Sequence, residues 1–439
     1  MQKFIGNTKE VVYLTLTTLI AIFIRLWWII NIPTRQVFDF ETYHDIATNI
    51  YLGLGHTYLG EPIAFQGMAY PYALGYVFRI VGSNSILIAK LFNLMLSTLT
   101  LILFYFILKK LTNNKRTIFI GYTILALLPN YIAYNNVVGT EVFAAFNLAL
   151  IIFLQLYNFD NKFRYPMLGI AIGVAALTKP IFLAYPVVAT TSYWLKHKQF
   201  KEPLFKLVIL TLVMTITIAP WTYRNYKRFG RFIPVSYNGG YVFFLNNNAN
   251  NTHGGWMPIP DAAMSVETRE RVNEILQYGA RSEKLAHELD PLLQSEAIKW
   301  IKANPIQYAK LGIIRLHTTF YGGVWDIDAW TMNELRERQP ENRLTEYERN
   351  MRFFRSVTDS IIHILSTLTF GYIIINIKPI ILSFFKRERY INSSVSIPIL
   401  NMLFFIAVYF VFEGQARYNF PLLFLMVASS VLFIEKLRG

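Results

Sequence analysis

Apolar runs broken by short charged or turn-forming stretches recur along almost the whole chain. Val11–Ile30 holds a single charge, Arg25, and a helix rising about 1.5 Å per residue over that length spans the roughly 30 Å hydrocarbon core of a bilayer. Comparable runs follow at Ile86–Leu108, Thr117–Ala133, Val142–Tyr157, Met167–Thr178, Ile181–Leu195, Leu207–Pro220, Ser360–Ile377, Ile397–Phe412 and Pro421–Ile434. The pattern predicts an all-α polytopic membrane protein of about ten transmembrane helices. No small-residue cleavage site follows the first run, which therefore reads as an uncleaved anchor.

Two segments are too long to be turns between crossings. The first outer loop, 33–83, opens with Asp39-Phe40-Glu41-Thr42-Tyr43-His44-Asp45-Ile46-Ala47-Thr48-Asn49-Ile50, where Tyr43, Ile46, Ala47 and Ile50 share one helical stripe and Gly53 and Gly55 end it. This predicts a helix lying on the membrane surface. A second short helix follows Pro71 and stops at Gly82. The second segment, 223–355, starts polar and turn-rich (Asn246-Asn247-Asn248, Gly254-Gly255, Pro258, Pro260), then predicts helices near Val266–Glu288 and over Pro305–Phe320. Three domains follow: an N-terminal membrane module over 1–222, an outer-face domain over 223–355 and C-terminal membrane helices over 356–439.

Composition agrees. With 54% apolar and 16% charged residues in 439, the chain is too apolar for a soluble enzyme. The net charge of +15 raises the question of nucleic acid, and its placement answers it. With a cytoplasmic N-terminus, the inner segments hold 18 Lys and Arg, including Lys3, Lys162, Arg387 and Arg389, whereas the short outer loops hold Arg35, Arg79, Lys179 and Arg417. That asymmetry predicts both termini inside. The excess sits at helix ends beside lipid headgroups, without the interleaved aromatics of a nucleic-acid surface, so no nucleic-acid partner is expected. The absence of cysteine removes disulfide and thiolate chemistry.

Charges at the membrane edge are costly and therefore informative. Asp39 and Glu41 open a surface helix, where the helix dipole favours carboxylates. Asp39 reads equally as an N-terminal cap or as a general base for an attacking hydroxyl. The two could share a divalent ion, but on a helix they diverge by about 200°; a divalent metal is the one candidate cofactor. Lys179 in Thr178-Lys179-Pro180, Arg224 in Trp221-Thr222-Tyr223-Arg224-Asn225, and Arg417 in Gln415-Ala416-Arg417-Tyr418 are isolated outer cations. They read either as snorkelling side chains or as ligands of a lipid-linked phosphate. Lys90, one turn from Asn93, could join them or pair with a carbonyl. Glu141 in Gly139-Thr140-Glu141 is a helix cap or an orienting carboxylate.

These motifs, in this order, resemble the GT-C superfamily of integral-membrane glycosyltransferases. The likeness is to the family 39-like bacterial branch, relatives of protein O-mannosyltransferases and of the lipid A aminoarabinose transferase. Asp39-x-Glu41-x-Tyr43-x-x-Ile46-Ala47 looks like its first-loop motif. Tyr70-Pro71-Tyr72, Gly139-Thr140-Glu141, Leu168–Pro180, Ala219–Tyr226 leading to Pro234–Gly240, and Arg417-Tyr418-Asn419 follow it over nearly the whole chain. The resemblance implies an inverting transferase that uses a polyprenyl-phosphate sugar at the outer face of the bacterial cytoplasmic membrane, with Asp39 catalytic; Glu41 is the second catalytic candidate, from its place beside Asp39. It implies that Lys179, Arg224 and Arg417 hold the lipid phosphate and that Tyr43 lines the site, with Lys90, Glu141, Asn225 and Tyr418 as further substrate-binding candidates. The acceptor would be a glycolipid, a wall polymer or a protein. One departure stands out: many relatives carry a cation with paired prolines where this chain has Phe65-Gln66-Gly67-Met68-Ala69, with Lys90 as the substitute candidate. A transporter would instead show inverted repeats with charges near the midplane, and no repeat is visible. A non-catalytic sugar-lipid binding protein stays open, because it could keep the cations and lose the base.

Overall fold

A computed structural model describes residues 8–157, 164–279, 284–386 and 390–438. Of the inner cations named above, Lys3, Lys162, Arg387 and Arg389 lie outside them.

The chain is almost entirely helical. α1 (Thr8–Asn31) leads into the first loop, made of α2 (Asp39–Tyr51), a two-residue-per-strand hairpin of β1 (Thr57–Tyr58) and β2 (Glu61–Pro62), and α3 (Ala69–Val81). Then come α4 (Ile86–Leu111), α5 (Lys115–Leu127), α6 (Pro129–Ala133), α7 (Thr140–Leu156), α8 (Arg164–Thr178), α9 (Tyr185–His197) and α10 (Lys201–Phe229). The second long segment folds as α11 (Gly239–Asn246), α12 (Val266–Leu276), α13 (Asp290–Ala303) and α14 (Pro305–Tyr321), before α15 (Leu344–Phe385), α16 (Ser393–Val411) and α17 (Leu423–Arg438).

Every apolar run falls on a helix, but not every helix is a full-length span. Among the described residues six are long and apolar enough to cross a membrane: α1, α4, α10, α15, α16 and α17, the last with the turn that precedes it. The bent pair α5 and α6, kinked by 50°, makes a seventh. The bend has a local cause, since Pro129 disfavours helical geometry at Leu128, which is extended. Buried Arg25 of α1 then donates to the Ala126 carbonyl at 2.8 Å. The lone charge of the first run is thus a cap for a broken neighbour. α7 and α8 are apolar but only 17 and 15 residues long, and α9 has 13. α7 is enclosed by protein along most of its length, so packing rather than bilayer thickness sets its size.

α7 and α17 form the centre, and α1 and α10 turn Leu16, Phe23, Leu204, Val208 and Leu212 outward, as spanning helices must toward lipid. Glu10 accepts from Tyr105, and Thr112 donates to Glu435. The start of α1, the end of α4 and the end of α17 therefore share one end of the bundle, and Asp39 lies at the other.

The predicted stripe of α2 is buried, but against α3 rather than lipid alone: a Cβ on Gly75 would sit 2.7 Å from the Ile50 side chain. α3 ends at Gly82 in the left-handed region (φ 75°), as the sequence predicts. α14 matches its expected span and packs on α16, with Gly312 against the Phe410 ring. The boundaries at 222 and 355 fall inside α10 and α15, so the segment between them joins the bundle through two unbroken helices.

Candidate functional site

Asp39 is the first residue of α2, preceded by Phe38 at φ 53°, a conformation costly for a residue with a side chain. Its carboxylate is 40% exposed. One oxygen accepts from Gln66 Nε2 at 2.7 Å; the other lies 3.4 Å from Arg417 Nη2. Gln66 is fixed by its neighbour Gly67, which needs to lack a side chain: a Cβ there would meet the Thr178 carbonyl oxygen at 2.2 Å. That close approach ties the first loop to the turn carrying Lys179.

Arg417 heads the tight helical turn Ala416–Leu422 and is held from behind. Its Nε donates to Gln415 Oε1 at 2.9 Å, Gln415 Nε2 donates to Glu413, and Glu413 also accepts from the Tyr418 hydroxyl. The guanidinium lies over Phe40 and Tyr418, each ring centre 5.6 Å away. Lys179 also lies over the Tyr418 ring, its ammonium 5.3 Å from the ring centre. Burial pushes its ammonium below the ordinary lysine value, and the Glu141 carboxylate opposes that shift. Tyr43 is buried edge-on to Tyr70 at 6.0 Å, and burial with the Asp39 and Glu141 charges raises its phenol well above normal. Glu141 itself is buried at the start of α7, with Oε2 unpartnered beside Gly139 and Phe40.

The structure therefore gathers Asp39, Tyr43, Glu141, Lys179, Arg417 and Tyr418 around one solvent-accessible carboxylate. It does not gather the others. Arg224 donates to the His56 and Ile63 carbonyls at 3.0 and 3.1 Å and stacks on Trp221, so its cation clamps the hairpin loop. Asn225 serves the same scaffold, donating to the Ile233 carbonyl and accepting from Arg224. Lys90 is buried with Glu334 and Arg338 as its charged neighbours, away from the cluster. It does not stand in for the missing first-loop cation; Gln66 occupies that stretch and contacts Asp39 directly. Glu41 is exposed on α2, consistent with its divergence from Asp39. Among the described residues no three His, Asp or Glu side chains converge as metal ligands.

Four residues were not read from the sequence: Gln66, Glu413, Gln415 and Asp326. Glu413 and Gln415 precede the helical turn that carries Arg417, and spacing gives no signal that the three side chains converge. Asp326 had no local mark among the acids of the outer segment. It is buried, accepts from the Tyr134 hydroxyl, and has its other oxygen unpartnered. Burial raises its carboxyl to about 6, with Arg417 opposing and Glu141 adding. Tyr134 stacks on Phe420 at 4.5 Å, one turn beyond Arg417, so this pair braces the same segment.

No family model matches the chain, and no curated protein sequence matches it. Among solved structures its fold is similar to the archaeal oligosaccharyltransferase AglB from Archaeoglobus fulgidus in complex with an inhibitory peptide and a dolichol-phosphate. That likeness has a TM-score of 0.53 at 13% identity and covers 98% of this chain and 50% of that one. It is also similar to the Archaeoglobus fulgidus oligosaccharyltransferase tethered with an acceptor peptide containing the NVT sequon, with a TM-score of 0.54 at 12% identity over 98% and 50% of the two chains. The chain spans about half the length of these enzymes. At such identity the likeness is one of architecture, and it supports the GT-C membrane fold that the sequence motifs resemble.

Proposed function

We propose that this protein is an inverting glycosyltransferase of the family 39-like kind, moving a sugar from a polyprenyl-phosphate donor to an acceptor hydroxyl at the outer face of the cytoplasmic membrane. One observation carries the reading: a solvent-accessible carboxylate, Asp39, faces the braced guanidinium of Arg417 at 3.4 Å, with the Lys179 ammonium over the same Tyr418 ring. Displacement at an anomeric carbon needs this pair of functions. The acceptor oxygen forms the new bond to C1 while Asp39 takes its proton. The bond from C1 to the phosphate oxygen breaks with its electron pair left on that oxygen, and Arg417 and Lys179 neutralise the charge of the departing phosphate. Attack opposite the leaving group inverts the carbon. The lipid-phosphate ligand of the AglB structure agrees with a donor of this class, as a likeness of fold between the two chains.

The test is incubation of the purified protein in lipid with radiolabelled polyprenyl-phosphate sugars, followed by thin-layer chromatography and a donor titration. Donor consumed by the parent, with affinity weakened by Arg417→Ala and Lys179→Ala but not by Glu41→Gln, supports the assignment. Saturable binding without turnover in the presence of acceptor extracts favours a sugar-lipid binding protein. Unchanged affinity in both cation variants removes the phosphate site.

A further inference from the structure

The first outer loop and the stretch after α14 build an aromatic shelf one residue from Asp39, and the transfer chemistry makes no use of it. Trp330 is its hub, edge-on to Phe38 at 6.0 Å and to Phe40 at 5.6 Å, and 5.8 Å from Trp325. Phe40 in turn lies beneath Arg417, so the shelf is continuous with the reactive cluster. Its outer rings are open: Phe38 is 75% exposed and Trp325 40%. The Trp330 indole N–H is buried without a partner.

The shelf is a built feature. Thr34 donates to the Thr331 carbonyl, and Arg35 and Asn333 exchange hydrogen bonds of 2.9 and 2.8 Å between their backbone and amide groups. These bonds join segments about 300 residues apart in sequence. Phe38 presents its exposed ring from a positive φ that the bonds on either side of it impose.

The geometry points to a saccharide acceptor, whose ring stacks its apolar C–H face on the exposed Phe38 ring, is flanked by the steeply inclined Trp330 and Trp325, and presents a hydroxyl to Asp39. This rests on the transferase reading and narrows its acceptor to the two carbohydrate-bearing classes, setting the protein acceptor aside. Exposed rings meeting at steep angles beside a carboxylate suit a ligand with one apolar face and a polar rim. An extended peptide would draw affinity from backbone hydrogen bonds, yet the backbone groups at Arg35 and Thr331 are already taken. A lipid-facing aromatic belt is built of Trp and Tyr, whereas the most exposed ring here is Phe38, in a cluster flanked by the ion pairs Arg35–Glu337 and Arg355–Asp328.

The test is saturation-transfer NMR on the full chain in lipid nanodiscs, with N-acetylchitobiose, maltose and mannobiose as probes and an uncharged nonapeptide as comparator. Saturation is expected on the axial C–H protons of at least one sugar. It should fall about fivefold in Phe38→Ala, the ring whose loss least threatens folding, and in Trp330→Ala, and be retained in Phe38→Tyr and Trp330→Phe. Saturation of the peptide alone, of no sugar, or of sugar equally in the alanine variants overturns the shelf. Asp39→Asn keeps the two readings apart. Transfer surviving in that variant removes the base and leaves the shelf standing, whereas Asp39-dependent transfer without sugar saturation removes the shelf alone.

Discussion

Replacing Asp39 with asparagine separates proton transfer from binding. The amide keeps an oxygen for the Gln66 N–H but turns an N–H toward Arg417 in place of the carboxylate oxygen now 3.4 Å away. Two unit charges at that distance attract by about 5 kcal/mol at an effective dielectric near 20 and by about 1 kcal/mol in water. With Asp39 40% exposed, the lower figure of about 1 kcal/mol applies. Losing the pair also frees Arg417 for a phosphate, so donor affinity should stay within about fivefold of the parent. A positioned general base is worth about 10² to 10⁴ in rate, so single-turnover transfer should fall at least about 100-fold. Quench-flow with saturating labelled donor gives the rate, and a titration of the same preparation gives the affinity. A rate within threefold of the parent would falsify the base assignment. An equal loss in both would recast Asp39 as a donor ligand.

Three further outcomes follow from the same geometry. Gln415→Leu strips Arg417 of its Nε partner without touching its charge, so donor affinity should drop about tenfold, read by titration; no change would mean that the guanidinium needs no brace. Asp326 has its carboxyl raised to about 6 by burial, so the folded state binds its proton more tightly than the unfolded chain does. Its stabilising contribution is complete below about pH 4 and lost as pH rises through about 6, a difference of at most about 3 kcal/mol. Asp326→Asn keeps an acceptor for Tyr134 and escapes that loss, so its melting midpoint should gain on the parent's between pH 4 and pH 8; a constant gap contradicts the buried-carboxyl account. Gly67→Ala drives a Cβ into the Thr178 and Leu177 carbonyls, so the loop must lift away from Lys179. Activity should fall with little change in the amount of folded protein recovered, and full activity would show that this approach does not set the site.

Sequence periodicity located the helices because burial in lipid or protein imposes it directly. α3 stopping at Gly82 and α14 filling Pro305–Tyr321 were legible for that reason. Length was less legible: α7 and α8 are apolar, yet protein rather than lipid encloses α7, so an apolar run does not report what surrounds it. In the site, isolated outer cations signalled an anion, but the signal carried no direction. Lys179 and Arg417 turn inward beside Asp39, whereas Arg224, with the same exposed-loop signature, spends its donors on the His56 and Ile63 carbonyls. A guanidinium that satisfies backbone acceptors is indistinguishable in sequence from one that awaits a phosphate. Neutral partners such as Gln66 and Gln415 were invisible, because an amide beside a charge matters only once the fold brings the two together.

The sharing of Arg417 has a mechanistic consequence. Among the described residues it is the one cation within 4 Å of the proposed base, and under the transferase reading it also receives the donor phosphate. A bound phosphate competes with the Asp39 carboxylate for the same N–H groups, so seating the donor releases Asp39 from its guanidinium. Arg417 need not travel far, because Gln415 and Glu413 brace it from behind and Phe40 and Tyr418 bound it on two sides. The exchange of partners therefore needs no moving gate. Under the transferase reading Asp39 is freed for the acceptor hydroxyl when the donor is present, and a water molecule or acceptor arriving alone meets a carboxylate still paired with Arg417.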